Sequence, residues 1–309
     1  MTINSTAGIG AAWFLNGMTN LQQTELKTQE QLSSGYRVQT AADAPSQVSE
    51  LVDLGSSLAA YQAWSSSLKQ VQAEAQSADQ SVGSAVSLLQ QASTLAAEGA
   101  NTTATATGQQ ILAAQVRSIQ QQLVGLANTS SGGRYIFAGD QDQAAPYQYD
   151  SAAAAGVDQL VSSPATRTVV NPAGETVYQS LTAQQIFDPV DAAGNPAANN
   201  SFAALQSLAT ALQTNNLSGI TTAMAGLSAA SDWVNQQQAY YGTSEQRITT
   251  EQTGTANRIT ALQTQIGNIR DADVVQAATN LSQENVAQSA AYGAESEIAQ
   301  ARNLFSYLA

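Results

Sequence analysis

Chemistry is scarce in this sequence. It holds no histidine and no cysteine, so the commonest general base, the thiolate nucleophile and the usual zinc ligands are all missing. No phosphate-cradling or dinucleotide-binding glycine pattern occurs. The remaining candidates are three carboxylate pairs, Asp140 with Asp142, Asp188 with Asp191, and Asp271 with Asp273. One pair supplies too few oxygens for a dedicated Ca²⁺ site, whereas aspartates two or three positions apart are common in turns and helix caps. Lys27 and Lys69 stand alone in helical stretches, where solvated-face roles dominate. The residues argue against catalysis and name no cofactor and no metal.

Composition narrows the class further. Charged residues make up 11% of the 309 positions, well below the roughly 25% usual in globular proteins, and Ala, Ser, Thr and Gln fill the difference. Ten Lys and Arg scattered singly within a net charge of −13 give no basic face for nucleic acid or for an anionic membrane surface. No apolar run approaches the roughly 20 residues of a membrane span, and the opening MTINSTAGIGAAWFL lacks the basic start of a cleaved signal peptide. A weakly charged surface rich in small residues suits either a helical secreted domain or a subunit that packs against copies of itself.

The elements that would position such a surface are long helices. From Ile220 to Asp273 residues recur in alternating steps of four and three, and one row (Ile220, Leu227, Val234, Tyr241, Ile248, Thr255, Leu262, Ile269) is apolar at every position but Thr255. Such a heptad row marks a helix of roughly 80 Å that needs an equally long partner. The other row (Ser231, Gln238, Glu245, Gln252) is polar through its middle, which predicts one narrow seam with polar flanks. The partner is Pro45–Ala96, whose stripe runs Leu51, Leu54, Leu58, Tyr61, Trp64, Leu68, Val71, Ala75, Ala78, Val82, Ala85, Leu89, Ala92 and Ala96. Seam residues are therefore Leu51, Leu58, Leu68 and Leu89 on one side, with Leu227, Val234, Ile248, Leu262 and Ile269 on the other.

Around this pair the chain reads in order. Residues 3–33 form a helix with Phe14, Leu15, Met18 and Leu21 on its apolar positions, ending at Ser33-Ser34-Gly35; Trp13 and Phe14 suit either a core or a neighbour. Asp43-Ala44-Pro45 starts the next helix. Thr107 with Gln110 forms a capping box for a third helix carrying Leu112, Val116, Ile119, Leu123 and Leu126. Aromatic and β-branched residues then take over. Arg134–Gly139 and Pro146–Tyr149 read as strands, Thr166–Val170 with Glu175–Gln179 as a hairpin, and Gln185–Phe187 as an edge. Helix resumes at Phe202, breaks at Asn215-Asn216, runs through the long repeat to Asp271–Asp273, and ends in a helix with the stripe Ala287, Ala291, Ala294, Ile298, Ala301, Phe305 and Leu308. The expected fold is mainly α: long antiparallel coiled-coil helices from the N- and C-terminal regions, with a small β-rich insertion in the middle. The segments divide as 1–44 (first helix and spoke), 45–133, 134–200 (insertion), 201–270 and 271–309.

Several runs carry a family likeness. Leu32-Ser33-Ser34-Gly35-Tyr36-Arg37-Val38 followed by Ala42-Asp43-Ala44-Pro45, Leu123–Thr129, Gly133–Gly139, Tyr241-Gly242-Thr243, Asp271–Val274 and Asn303–Leu308 together resemble the bacterial flagellin superfamily over nearly the whole chain. The likeness is strongest to its hook–filament junction branch, with filament flagellin as the alternative. Positions that match the basic Arg-x-Arg patch of some filament flagellins are Gln91 and Ser93. The resemblance implies a structural subunit of the extracellular flagellum, exported through the flagellar type III apparatus after release from a chaperone. It implies assembly with copies of itself, with a hook-side junction protein and with filament flagellin, through terminal residues Phe14, Leu15, Met18, Leu21, Ile298, Phe305 and Leu308. A secreted coiled-coil adhesin or binding module is the reading from another class.

Overall fold

Helix dominates because the heptad stripes recur on both sides of a short stretch rich in turns. The computed structural model describes residues 3–101, 105–162 and 165–305, with side chains at positions 12–297 within those ranges. Helices α1 (Ile3–Ser34), α2 (Val48–Gly99) and α3 (Ala106–Ala127) precede strands β1 (Ser130–Ser131), β2 (Arg134–Tyr135), β3 (Tyr147–Tyr149), β4 (Val157–Gln159), β5 (Thr168–Val170) and β6 (Thr176–Gln179). Helices α4 (Ala183–Phe187), α5 (Ser201–Gln213), α6 (Leu217–Arg270) and α7 (Val274–Phe305) follow. The chain divides into two compact units, residues 60–257 and residues 1–59 with 258–309.

In the 60–257 unit the core is a single cluster shared by helices and strands. Along α6, Ile220, Leu227, Val234, Tyr241 and Ile248 are fully buried, and along α2 so are Leu68, Ala75, Val82, Ala85, Leu89, Ala92 and Ala96. The two helices run antiparallel: Trp64 Nε1 donates to Glu251 Oε1 at 3.1 Å and Gln252 Nε2 to Gln72 Oε1 at 2.8 Å. At Gly83 a β-carbon would come within 2.9 Å of Gln238 Nε2, so the lack of a side chain there permits close approach. The packed face of α6 is wider than one narrow seam. Ala223, Ala230 and Ser244 are also buried, because small residues beside the apolar row let neighbouring backbone come near.

The β segment is three separate two-stranded antiparallel ribbons, β1–β2, β3–β4 and β5–β6. Gly132 and Gly133, both with positive φ, make the tight β1–β2 turn. The β5–β6 hairpin follows the expected Pro–Gly turn, where Asn171 Oδ1 accepts from Ala173 N and Glu175 N. These ribbons share the helical core: Phe137 meets Phe187 and Tyr241 edge-on, and Tyr147 packs on Phe202.

Local boundaries differ from the sequence expectation in several places. The second long helix begins at Val48, not at Pro45, because Asp43 folds back to accept from Gln39 N and Thr40 N. The third helix is capped by Thr105, whose hydroxyl accepts from Gly108 N. Only Arg134–Tyr135 of the Arg134–Gly139 run is strand; Ile136 and Phe137 then turn into the core. Gln185–Phe187 is helical because Thr182 and Gln185 form a capping box. Strands β1 and β4 had no β-branched or alternating signal long enough to announce them.

Thr255 is the polar exception in the apolar row of α6, and it is buried with its hydroxyl lacking a hydrogen-bond partner. An unsatisfied buried hydroxyl costs about 1–3 kcal/mol. Thr255→Val keeps the shape and removes the hydroxyl. We expect it to raise the urea midpoint of unfolding by roughly 1 kcal/mol of stability; an unchanged or lower midpoint would count against an unpaired hydroxyl.

Candidate assembly interface

In the unit formed by residues 1–59 and 258–309, α1 and α7 pair antiparallel. Phe14, Met18 and Leu21 are half-buried along α1, in step with Glu25, Thr28 and Leu32. Across from them on α7 stand Ala277, Leu281, Glu284, Gln288 and Ala291. Thr28, 6% exposed, donates to Glu284 Oε1 at 3.0 Å, and Gln288 Nε2 donates to Glu25 Oε2 at 3.2 Å. The expected stripe of α7 is corrected here. Ala287 and Ala294 face solvent, while polar Glu284 and Gln288 take the contact positions, because their partners on α1 are polar.

Much apolar surface stays outside this pairing. Trp13 is 77% exposed, Leu15 63% and Leu26 65% on α1, with Val275 at 77% and Val286 at 67% on α7. Leu15 therefore points away from the pair, unlike Phe14, Met18 and Leu21. Ile298 and Phe305 lie in α7 with side chains outside those described, and Leu308 lies outside the described residues. Scattered exposed apolar residues are ordinary; here they gather on two helices whose mutual seam is partly polar.

The loop between α1 and α2 is tied to the end of α6. Arg37 N and Val38 N donate to Arg270 O, and the Arg37 guanidinium donates to Ile269 O at 2.6 Å. These donors satisfy carbonyls that the last helical turn leaves free. Arg270 sits 4.2 Å over the Tyr36 ring, and Ala272 N donates to Gly35 O. Asp43 pairs with Lys27 at 2.9 Å, and that bond, with the amides of Thr40 and Gln39, holds its carboxyl well below the usual range. Under the loop, Leu51 and Leu58 join Val38, Val48 and Ile266 in lining a groove of about 530 Å³. Leu262 is buried and Ile269 half-buried in the same unit.

At least one member of each carboxylate pair is engaged in structural work. Asp142 bonds Gln143 and Arg134 and lies 4.0 Å from Arg167, which also pairs with buried Glu74 of α2. Asp188 accepts from the Tyr147 hydroxyl and from Asn200; Asp191 accepts from Ala193 N and Asn195 N. Asp273 caps α7 through Val275 N and Gln276 N. Among the described residues no three His, Cys, Asp or Glu gather as a metal site, and no helix is long and apolar enough to cross a membrane. Sequence reading missed the Arg167–Glu74 tie, since nothing local links positions so far apart in the chain.

The N-terminal helical region of bacterial flagellin matches residues 9–142, and its C-terminal helical region matches residues 224–308. The chain belongs to the bacterial flagellin family. Within that family it is 30% identical over 205 residues to flagellar hook-associated protein 3 of Escherichia coli, covering 65% of this chain and 63% of that protein. It is 28% identical over 294 residues to flagellar hook-associated protein 3 of Salmonella typhimurium, covering 90% and 91%. The crystal structure of the flagellar junction protein FlgL from Legionella pneumophila shares the fold, at 12% identity and a TM-score of 0.56, over 70% of this chain and 98% of that one. The flagellin-family match spans both helices of the α1–α7 pair and both long helices of the seam.

Two carboxylates of the insertion should titrate in opposite senses. Hydrogen bonds from Gln143 and Arg134 lower the pKa of Asp142, while burial raises that of Asp188 against the bonds from Asn200 and Tyr147. A lowered value stabilises the fold above the unfolded pKa of about 3.9 and is lost as pH falls through the folded value. A raised value does the reverse, contributing most below the unfolded pKa and fading as pH rises. Denaturant titrations from neutral pH to about pH 3 should therefore show the wild-type advantage over Asp142→Asn shrinking on acidification. The wild type should gain relative to Asp188→Asn over the same range. Parallel curves for both variants would refute the assignment.

Proposed function

We propose that this chain is the structural subunit that joins hook to filament in the bacterial flagellum. The observation that carries the reading is similarity along 91% of the length of a flagellar hook-associated protein 3. In this reading residues 1–44 and 271–309 form the assembly core, and 45–133 with 201–270 supply the long paired helices. The seam residues Leu51, Leu58, Leu68, Leu89, Leu227, Val234, Ile248, Leu262 and Ile269 hold those helices together. Phe14, Leu15, Met18, Leu21, Ile298, Phe305 and Leu308 contribute to contacts among copies of the chain, with a hook-side junction protein on one side and filament flagellin on the other.

The exposed apolar residues of α1 and α7 support this division of labour. Each fully buried Leu or Ile of the seam contributes about 1.5–3 kcal/mol, whereas half-buried Phe14, Met18 and Leu21 gain only part of that within one chain. Helices held by so little become ordered when neighbours cover the remainder, so that folding of the ends is coupled to polymerisation. Export through the flagellar apparatus to the cell exterior, with a chaperone holding the C-terminal helix beforehand, belongs to the same proposal. Absence of cysteine fits a chain that must pass unfolded.

Two measurements test it. Removing 287–309 should leave residues 46–270 folded by circular dichroism and urea titration, yet abolish incorporation into flagella; efficient incorporation of the truncated chain sinks the assembly role. Immunolabelling of isolated flagella should mark a thin band at the hook end. Uniform label along the filament would instead make the chain a filament flagellin, and normal swimming by cells lacking it would favour an adhesin or binding module.

A further inference from the structure

One dipeptide in this chain can modify itself. Asn16-Gly17 is the only place in the sequence where glycine follows asparagine. An asparagine side-chain carbonyl lies within reach of the next residue's backbone nitrogen, and glycine, having no β-carbon, leaves that approach open. Serine is the next most permissive follower, and Asn200-Ser201 shows how a folded core silences such a pair. Asn200 is 1% exposed; its Oδ1 accepts from Ala203 N, and its Nδ2 donates to Asp188 Oδ1 at 2.6 Å and to Pro189 O at 3.2 Å. Asn16 instead stands exposed on α1, and a β-carbon at Gly17 would meet nothing within 4 Å.

Helix shuts the reaction off. In α1 the Gly17 N–H points along the axis to the carbonyl four residues earlier, and helical backbone angles hold that nitrogen away from the Asn16 side chain. Protection lasts only while this turn stays helical, and little secures it. A glycine inside a helix favours opening about fivefold over alanine. Phe14 and Met18 on either side are only half-buried. Residues 1–24 contain no Asp, Glu, Lys or Arg, so no charged pair along the helix supports this stretch.

We propose that Asn16 is a self-modification site, open in the unassembled chain and closed by helix α1 in the assembled one. With α1 unheld, the Gly17 nitrogen gives its proton to solvent base and attacks Asn16 Cγ. The new C–N bond closes a succinimide as the Cγ–Nδ2 bond breaks, and the nitrogen leaves as ammonia after taking a proton from water. A water molecule then opens the ring at one of its two carbonyls. One opening gives aspartate; the other gives isoaspartate, in which the main chain runs through the former side chain. Either product puts a carboxylate into a stretch that holds no charge. It stands three residues from Trp13, on the same face of the helix, where the indole is 77% exposed. A neighbour covering that face would have to desolvate the new charge, and isoaspartate lengthens the backbone so that the helix cannot run through it. Conversion therefore takes a chain out of the assembling pool, a consequence that rests on the subunit role proposed above.

The full-length chain, incubated at mildly alkaline pH and followed by peptide mapping with isoaspartate methyltransferase labelling, tests the site. Asn16 should convert ahead of every other asparagine, at a rate within about tenfold of that in a synthetic peptide of residues 11–22. The rate should rise with pH, and Asn200 should stay intact. The same chain held in isolated flagella should convert about tenfold more slowly or less. Gly17→Ala should suppress conversion in the free chain while helicity is kept or raised. Conversion of the free chain slower than the tenfold bound, or no slowing in flagella, overturns the site. In cells lacking the unaltered protein, Asn16→Gln should enter flagella at the normal level. Asn16→Asp should enter several-fold less, with its secreted amount unchanged. Normal incorporation of Asn16→Asp overturns the assembly consequence. Uniform label along the filament would instead revise the junction role and leave the chemistry of the free chain as it is, so the two failures are distinct.

Discussion

Burial of one heptad row organises the larger unit of this protein. Ile220, Leu227, Val234, Tyr241 and Ile248 of α6 are wholly withdrawn from water, and the alanine-rich stripe of α2 is withdrawn with them. At about 25 cal/mol per Å² of apolar surface, no hydrogen bond or ion pair in the chain approaches their combined effect. Alanines contribute little area individually, but they shorten the distance between backbones and so raise the packing density on which dispersion depends. The aromatic cluster of the insertion joins the same core through Tyr241 and Phe137, which lets short two-stranded ribbons persist that would be marginal alone.

Polar contacts in this protein specify geometry more than they add stability. Arg167 reaches from the insertion to buried Glu74 of α2, Tyr240 donates to Gln179 O, and Trp233 donates to Gln185 O. Each is a directional tie between the insertion and a long helix. The loop after α1 works in the same way, supplying Arg37 and Val38 as donors to the carbonyls that end α6. Replacing such ties by apolar groups of equal volume is often neutral for stability, but it removes the information about which surfaces meet.

The terminal helices are buried much less within one chain than the long-helix core. Within residues 60–257 the apolar row of α6 is fully buried; the α1–α7 seam is partly polar and leaves Trp13, Leu15, Leu26, Val275 and Val286 in water. The low content of charge suits contacts between copies, since few ions have to be desolvated when they form.

Periodicity made the long helices and their pairing legible, because a sustained heptad row has few physical solutions: it must be covered by an equally long partner. Glycine, proline and asparagine marked the ends of α1 and α5 and the β5–β6 turn for equally local reasons. Tertiary structure decided the rest. Asp43 reads as a helix start until its carboxylate is seen turned toward Lys27 and Thr40, and Gln185–Phe187 reads as strand until a reciprocal cap makes it helix. Glu284 and Gln288 lie outside the alanine stripe that the sequence shows, yet they face α1. Hydropathy cannot reveal a polar residue placed inward, because its partner lies some 250 residues away and only folding brings the two together.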